Sequence, residues 1–153
     1  CNGLTKVNIS SIEKWCSINF NSNPLSYAYN LYLDGQLVSN LIIPDSVTYI
    51  GRFAFSNCSG LTSITISNSA TSIGGFAFYG CSGLTNITIP DSVTSIKSCA
   101  FFTCSGLTSI TIPDSVTSID GYAFGGCSGL ENINVALNNT KYYSLNNCII
   151  SLT

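Results

Sequence analysis

The chain repeats itself with a period of 23 residues, and few folds can accommodate that. Cys58-Ser-Gly-Leu-Thr, Cys81-Ser-Gly-Leu-Thr and Cys104-Ser-Gly-Leu-Thr recur in register. Cys127-Ser-Gly-Leu130 follows before Glu131 breaks the match, and the spacings 81−58, 104−81 and 127−104 are all 23. Each unit runs Leu-x-x-Ile-x-Ile-Pro-Asp-Ser-Val-Thr-Ser-Ile, then Ala-Phe, then Cys. A fixed period of this length is a solenoid signature, because one unit cannot bury its apolar face alone and must stack on its neighbours.

Within one coil, Leu84-Thr-Asn-Ile87-Thr-Ile89 predicts a short strand with Ile87 and Ile89 inward and Thr85, Asn86 and Thr88 outward. Pro90 lacks an N–H and stops the ladder. Asp91 and Ser92 suit the turn by bonding local backbone groups. Val93-Thr-Ser-Ile96 reads as a second extended piece, and Ala100 and Phe101 fill the convex side of the core. Cys81, Ser82 and Gly83 turn the corner, with Gly expected to supply backbone freedom. The columns Leu61, Leu84, Leu107, Leu130; Ile64, Ile87, Ile110, Ile133; and Phe55, Phe78, Phe101, Phe124 then stack at about 4.8 Å in a parallel ladder. A leucine-rich repeat is the natural reading: a right-handed superhelix of short parallel β-strands, with turns and short helical segments on its convex side.

The whole chain, 1–153, reads as one solenoid: a partial and a long variant coil over 1–37, regular coils over 38–126 and a truncated variant over 127–153. The chain opens at Cys1-Asn-Gly-Leu-Thr in mid-repeat and closes at Ile150-Ser-Leu-Thr153 without a polar cap. It therefore reads as a segment of a longer protein, its uncapped coils open to end-to-end contacts. From Leu4-Thr-Lys-Val7-Asn-Ile9 to Val38-Ser-Asn-Leu41-Ile-Ile43 is 34 residues, 11 more than the period. Ser11 followed by Glu13 predicts a capped helix start. Asp34-Gly35 between apolar runs predicts a hairpin.

Twelve charged residues (5 Lys and Arg, 7 Asp and Glu) leave a net charge of −2. Five cations cannot form the basic stripe that nucleic acid demands. No run of about 18 apolar residues spans a membrane, and no secretory leader pattern is present. The chain has no His and no Gly-x-Ser-x-Gly or paired-carboxylate constellation, so no enzyme and no cofactor is expected. Cys58, Cys81, Cys104 and Cys127 share one phase, headed by Cys1, and are expected as free buried thiols, since parallel stacking holds their Cβ atoms wider than a disulfide allows. Cys16, Cys99 and Cys148 are off phase, and pairing among them is open. Asp45, Asp91 and Asp114 form a column expected to cap turns rather than hold calcium, which needs six to eight oxygens. Asn8, Asn57, Asn86 and Asn138 head glycosylation sequons that this Asn-, Ser- and Thr-rich chain produces by chance.

Ile-Pro-Asp-Ser-Val-Thr-Ser-Ile, Ala-Phe and Cys-Ser-Gly-Leu-Thr closely resemble the BspA-like leucine-rich repeats, also called the Treponema pallidum type, almost without a gap from Leu41 to Glu131. Ser67-Asn68, Ser69-Ala70, Lys97-Ser98-Cys99 and Asp120 depart from the pattern at the rim of single coils. The resemblance implies secreted or surface-attached proteins of host-associated bacteria and some protists, several of them adhesins. It implies host matrix or plasma proteins and other cells as partners, and carries no catalytic or binding motif to numbered positions.

Three surfaces are candidates for contact. Trp15, Tyr27, Tyr29 and Tyr32 in the long coil either seal it or form an exposed platform. The strand face presents Thr85, Asn86, Thr88, Thr108, Thr111, Asn132 and Asn134, uncharged and alike from coil to coil. The convex side offers Arg52, Phe53, Phe76, Tyr79, Phe102 and Tyr122, as packing between coils or as an interaction patch. The functional expectation is a non-enzymatic extracellular or cell-surface scaffold that binds host or microbial proteins or glycans. The alternative is a spacer displaying another module.

Overall fold

The computed structural model describes residues 3–146 and 148–152. The N-terminal part holds β1 (Val7–Ile9), α1 (Ile12–Cys16), α2 (Leu25–Ala28), β2 (Leu31–Leu33) and β3 (Gln36–Leu37). Ser11 caps α1, its Oγ accepting the Lys14 N–H at 3.2 Å, as Ser11 and Glu13 predict. Asp34 and Gly35 both take left-handed φ (47° and 82°) and turn β2 into antiparallel β3. That is the geometry of a tight two-residue hairpin.

The coils follow as β4 (Asn40–Ile42), β5 (Tyr49–Ile50), β6 (Ser63–Thr65), β7 (Ser72–Ile73), β8 (Asn86–Thr88), β9 (Ser95–Ile96), β10 (Ser109–Ile112), β11 (Ser118–Ile119) and β12 (Asn132–Val135). A final hairpin joins β13 (Tyr142–Leu145) to β14 (Cys148–Ser151). Each regular coil thus contributes one strand to each of two parallel layers, and β12 adds one more to the first. One layer is β4-β6-β8, with Leu41, Ile64 and Ile87 in register, continued by the pair β10-β12. The other is β5-β7-β9-β11. No ladder joins β8 to β10. Between the layers Phe55, Phe78, Phe101 and Phe124 stack at 5.4, 5.3 and 5.4 Å. Burying each ring stabilises the stack by about 1.5–3 kcal/mol, and every such contact links adjacent coils only.

Three expectations need correction. The extra length of the second coil does not lie where the repeat alignment puts it. Leu31, not Leu41, takes the slot beside Val7, 24 residues on (31−7); the excess is the hairpin that precedes β4. The convex side of the regular coils is built of turns, and the short helical segments lie in the N-terminal part. In those turns, Phe53, Phe55 and Asn57 donate their N–H groups to Gly75, Ala77 and Tyr79 of the next coil.

The corner glycines serve close approach rather than φ freedom. Gly83, Gly106 and Gly129 are absent from the left-handed set; a Cβ on Gly106 would stand 2.5 Å from the Ser82 carbonyl oxygen, and the other two face the equivalent carbonyls of Ser59 and Ser105. In the turns Ser92 and Ser115 reach back to Ala70 and Val93 of the preceding coil, each at 2.7 Å. Asp45, Asp91 and Asp114 stay exposed. Polar side chains also tie the C-terminal segment to the last regular coil. Asn139 donates to the carbonyls of Pro113 and Val116, and the Tyr142 hydroxyl accepts the Ile119 N–H at 2.8 Å. Cys1, expected to head the thiol column, lies outside the described residues.

Candidate interaction surface

The convex turns repeat one backbone feature: Phe53, Phe76, Cys99 and Tyr122 take left-handed φ of 58°, 58°, 57° and 59°. Bulky L-residues avoid this region, where Cβ crowds the carbonyl. The stack enforces it, because each of Phe53, Phe76 and Cys99 donates its N–H to the next coil. The geometry lines the side chains into a strip. Phe53 stacks on Phe76 at 4.7 Å, Phe76 meets Tyr79 at 5.7 Å, Tyr79 stacks on Phe102 at 5.7 Å, and Tyr122 stands edge-on to Phe102 at 6.3 Å. The Arg52 guanidinium lies over Phe53 at 4.7 Å and Phe76 at 5.7 Å.

The strip is neither core nor free surface. Phe53, Phe76, Tyr79 and Phe102 are half-buried, while Tyr122 is 76% exposed. Among the described residues the Tyr79 and Tyr122 hydroxyls have no protein hydrogen-bond partner, so each offers a donor beside an apolar face. The small Cys99 sits in the same column between Phe76 and Tyr122. The convex aromatics pack coil on coil and leave a contiguous, half-exposed face with a cation at one end.

The N-terminal aromatics do not form one platform. Trp15 is buried, donates its indole N–H to the Ala54 carbonyl at 2.7 Å and packs on Phe20 at 4.8 Å, which removes it from the candidate contacts. Tyr32 is half-buried, with Lys6 over its ring at 5.8 Å. Tyr27 and Tyr29, on and just after α2, are exposed. Their helix is anchored by Asn23, a buried residue that the repeat pattern does not mark. Its Oδ1 accepts the Leu25 N–H and its Nδ2 donates to the Phe53 and Ala54 carbonyls. Asn immediately before Pro and an apolar helical run is a start signal that could have found it.

On the strand face Thr85, Asn86, Thr88, Thr108, Thr111, Asn132 and Asn134 are all exposed. Thr85 spends its hydroxyl on the Thr62 carbonyl of the coil before, at 3.1 Å.

Cys16, Cys58, Cys81, Cys99, Cys104, Cys127 and Cys148 are free thiols. In the column, Cys81, Cys104 and Cys127 each donate S–H to a carbonyl of the preceding coil, those of Phe55, Phe78 and Phe101, at 3.1 Å. Desolvation pushes Cys58 up to about 11 and Cys16 and Cys104 up to about 12. These are packing groups, not nucleophiles. Among the described residues no three His, Cys, Asp or Glu side chains converge on a metal site.

Parallel strands stacked at a fixed period around one apolar column define a leucine-rich repeat solenoid. The family model for the BspA type leucine-rich repeat region matches residues 26–151 in six copies, and the chain belongs to that family. Comparison with curated proteins gives no match. Among solved structures the chain resembles the T. pallidum leucine-rich repeat protein, with 26% identity, a TM-score of 0.64, and coverage of 86% of this chain and 58% of that one. A leucine-rich repeat protein from Bacteroides ovatus is 32% identical at a TM-score of 0.58, covering 86% and 33%. The pneumococcal vaccine antigen PcpA shares the fold, at 22% identity and a TM-score of 0.65, covering 70% and 26%. The chain thus spans a quarter to three-fifths of these proteins' lengths. Among the described residues no helix is long and apolar enough to cross a membrane.

Proposed function

We propose that this chain is a non-enzymatic extracellular or cell-surface scaffold that binds host or microbial proteins or glycans, with the convex strip from Arg52 to Tyr122 as its main contact face. The strip carries this reading. Aromatic side chains stand at left-handed positions where glycine would be strain-free, so their rings contribute something the backbone alone does not require. A cation over stacked rings, with two free phenol hydroxyls, suits a partner that is part apolar and part polar. The likeness to a bacterial vaccine antigen supports a place outside the cell. The strand face of Thr and Asn adds weak, repeated contacts.

The test is binding of the chain to immobilised matrix proteins and to a glycan array, beside a Tyr79→Ser/Tyr122→Ser variant. Binding that the double variant loses supports the strip. Binding that survives it moves the contact to the strand face. No binding at high micromolar concentration supports a spacer.

A further inference from the structure

We propose that the cleft between the β2–β3 hairpin and β4 takes up an extended peptide as an added strand on the β4 edge, with apolar side chains at alternate positions and a Lys or Arg beside them. In a parallel ladder alternate residues bond to opposite sides. Ser39 and Ile43 bond β6: the Ser39 carbonyl accepts the Thr62 N–H at 2.8 Å, and the Ile43 N–H meets the Thr65 carbonyl at 2.9 Å. Asn40 and Ile42 therefore turn their peptide groups away from β6, and among the described residues no backbone group meets them. The hairpin cannot serve, since β3 pairs only with β2.

The opening left between them has a volume of about 470 Å³. Leu33 and Leu37 line its hairpin side and Ile42 its strand side, with Ile12 and Val38, both buried, at its base. Leu37 is 51% and Ile42 69% exposed. In the column of Ile42 the next coils carry Thr65, Thr88 and Thr111, so the apolar residue departs from the repeat where the edge is open. Unsatisfied N–H and C=O groups in a row select a strand, and apolar walls select its alternate side chains. Asp34, the one charged residue lining the cleft, selects a cation. A smaller opening of about 310 Å³ where β8 and β10 part is different, because two like coils border it and each edge complements the other.

The probe is a fluorescein-labelled acetyl-Lys-Val-Thr-Val-Thr-Val-amide, with versions N-methylated on alternate residues of one edge or the other. The unmethylated peptide should bind the full chain and slow amide exchange at Asn40 and Ile42 by about tenfold or more, and methylation of one edge should weaken binding about tenfold. Leu37→Asp and Ile42→Asp should weaken it comparably, Thr88→Asp should not, and a Glu-for-Lys peptide should bind less well. Equal binding of all methylated versions, or unchanged exchange at Asn40 and Ile42, would overturn the proposal. So would self-association of the chain that Ile42→Asp abolishes in the absence of peptide binding, which would assign the edge to a second copy.

Discussion

Trp15 donates its indole N–H to the Ala54 carbonyl at 2.7 Å, and that carbonyl is the one later coils fill from the backbone. Phe55 donates to Ala77, Phe78 to Ala100 and Phe101 to Ala123, at 2.7, 2.8 and 2.8 Å. A side chain 39 residues away thus stands in for the missing regular coil before the stack. Asn23 shares the task at 2.8 Å. The irregular N-terminal coil works as an adaptor whose polar atoms match the period of the regular coils.

Because Asn23 keeps the Ala54 carbonyl bonded, Trp15→Phe should cost only about 1 kcal/mol. Trp15→Ala, which also opens a cavity, should cost about 3–5 kcal/mol. Both variants lose the only Trp, so unfolding is best followed by far-UV circular dichroism in urea, with amide exchange locating the loss. Equal costs for the two would mean the ring does not fill the space assigned to it.

The two uses of glycine separate by substitution. Gly106 has ordinary φ but faces the Ser82 carbonyl, so Gly106→Ala should destabilise by about 1–3 kcal/mol through crowding. Gly35 has φ 82° and nothing within 4 Å, and Gly35→Asn, which tolerates that region, should be near neutral. Thermal melts of the two variants check the pair.

The interior of the regular coils was legible from the columns alone, because Ile64, Ile87 and Ile110 can point nowhere else once the period is set. Tyr-and-Phe geometry on the convex side was not, since left-handed φ at Phe76 is imposed by a bond to Ser98 of the next coil, a long-range cause with no local signal. The same holds for the adaptor. Aligning Val38 with Leu4 by pattern overlooked Leu31, whose strand pairs with Val7 only because the hairpin after it absorbs the excess. Of the candidate surfaces, exposure of the strand-face Thr and Asn followed from alternation, while the burial of Trp15 depended on a partner 39 residues distant.

Stability should fall at high pH through the buried thiols. The ordinary thiol value is 9.0, and burial raises Cys58 to about 11 and Cys104 to about 12. Below pH 9 both folded and unfolded chains keep these protons, so their contribution is fully present. Above it the unfolded chain releases protons that the folded chain retains, and stability drops by about 1.4 kcal/mol per pH unit per thiol until the folded values are reached. Urea melts at pH 8 and 10 should show this, and Cys104→Ala should reduce the loss by about one proton's share. Exposed Cys148 should react with a thiol reagent at once, and Cys58, Cys81 and Cys104 only on unfolding.

At Phe76 the usual ranking of Gly below Ala should invert. Ala retains the Cβ that makes φ 58° unfavourable, whereas Gly removes it, a difference of about 1–2 kcal/mol in favour of Gly. Both variants forfeit the stacking on Phe53 at 4.7 Å and the Arg52 contact at 5.7 Å, so these losses cancel in the comparison. The experiment is denaturation of Phe76→Gly and Phe76→Ala under one condition. If Ala proves the more stable, the left-handed turn is not under the strain assigned to it. If Gly does, yet both variants lose ligand binding equally, the ring is retained at that position for contact at the cost of backbone strain.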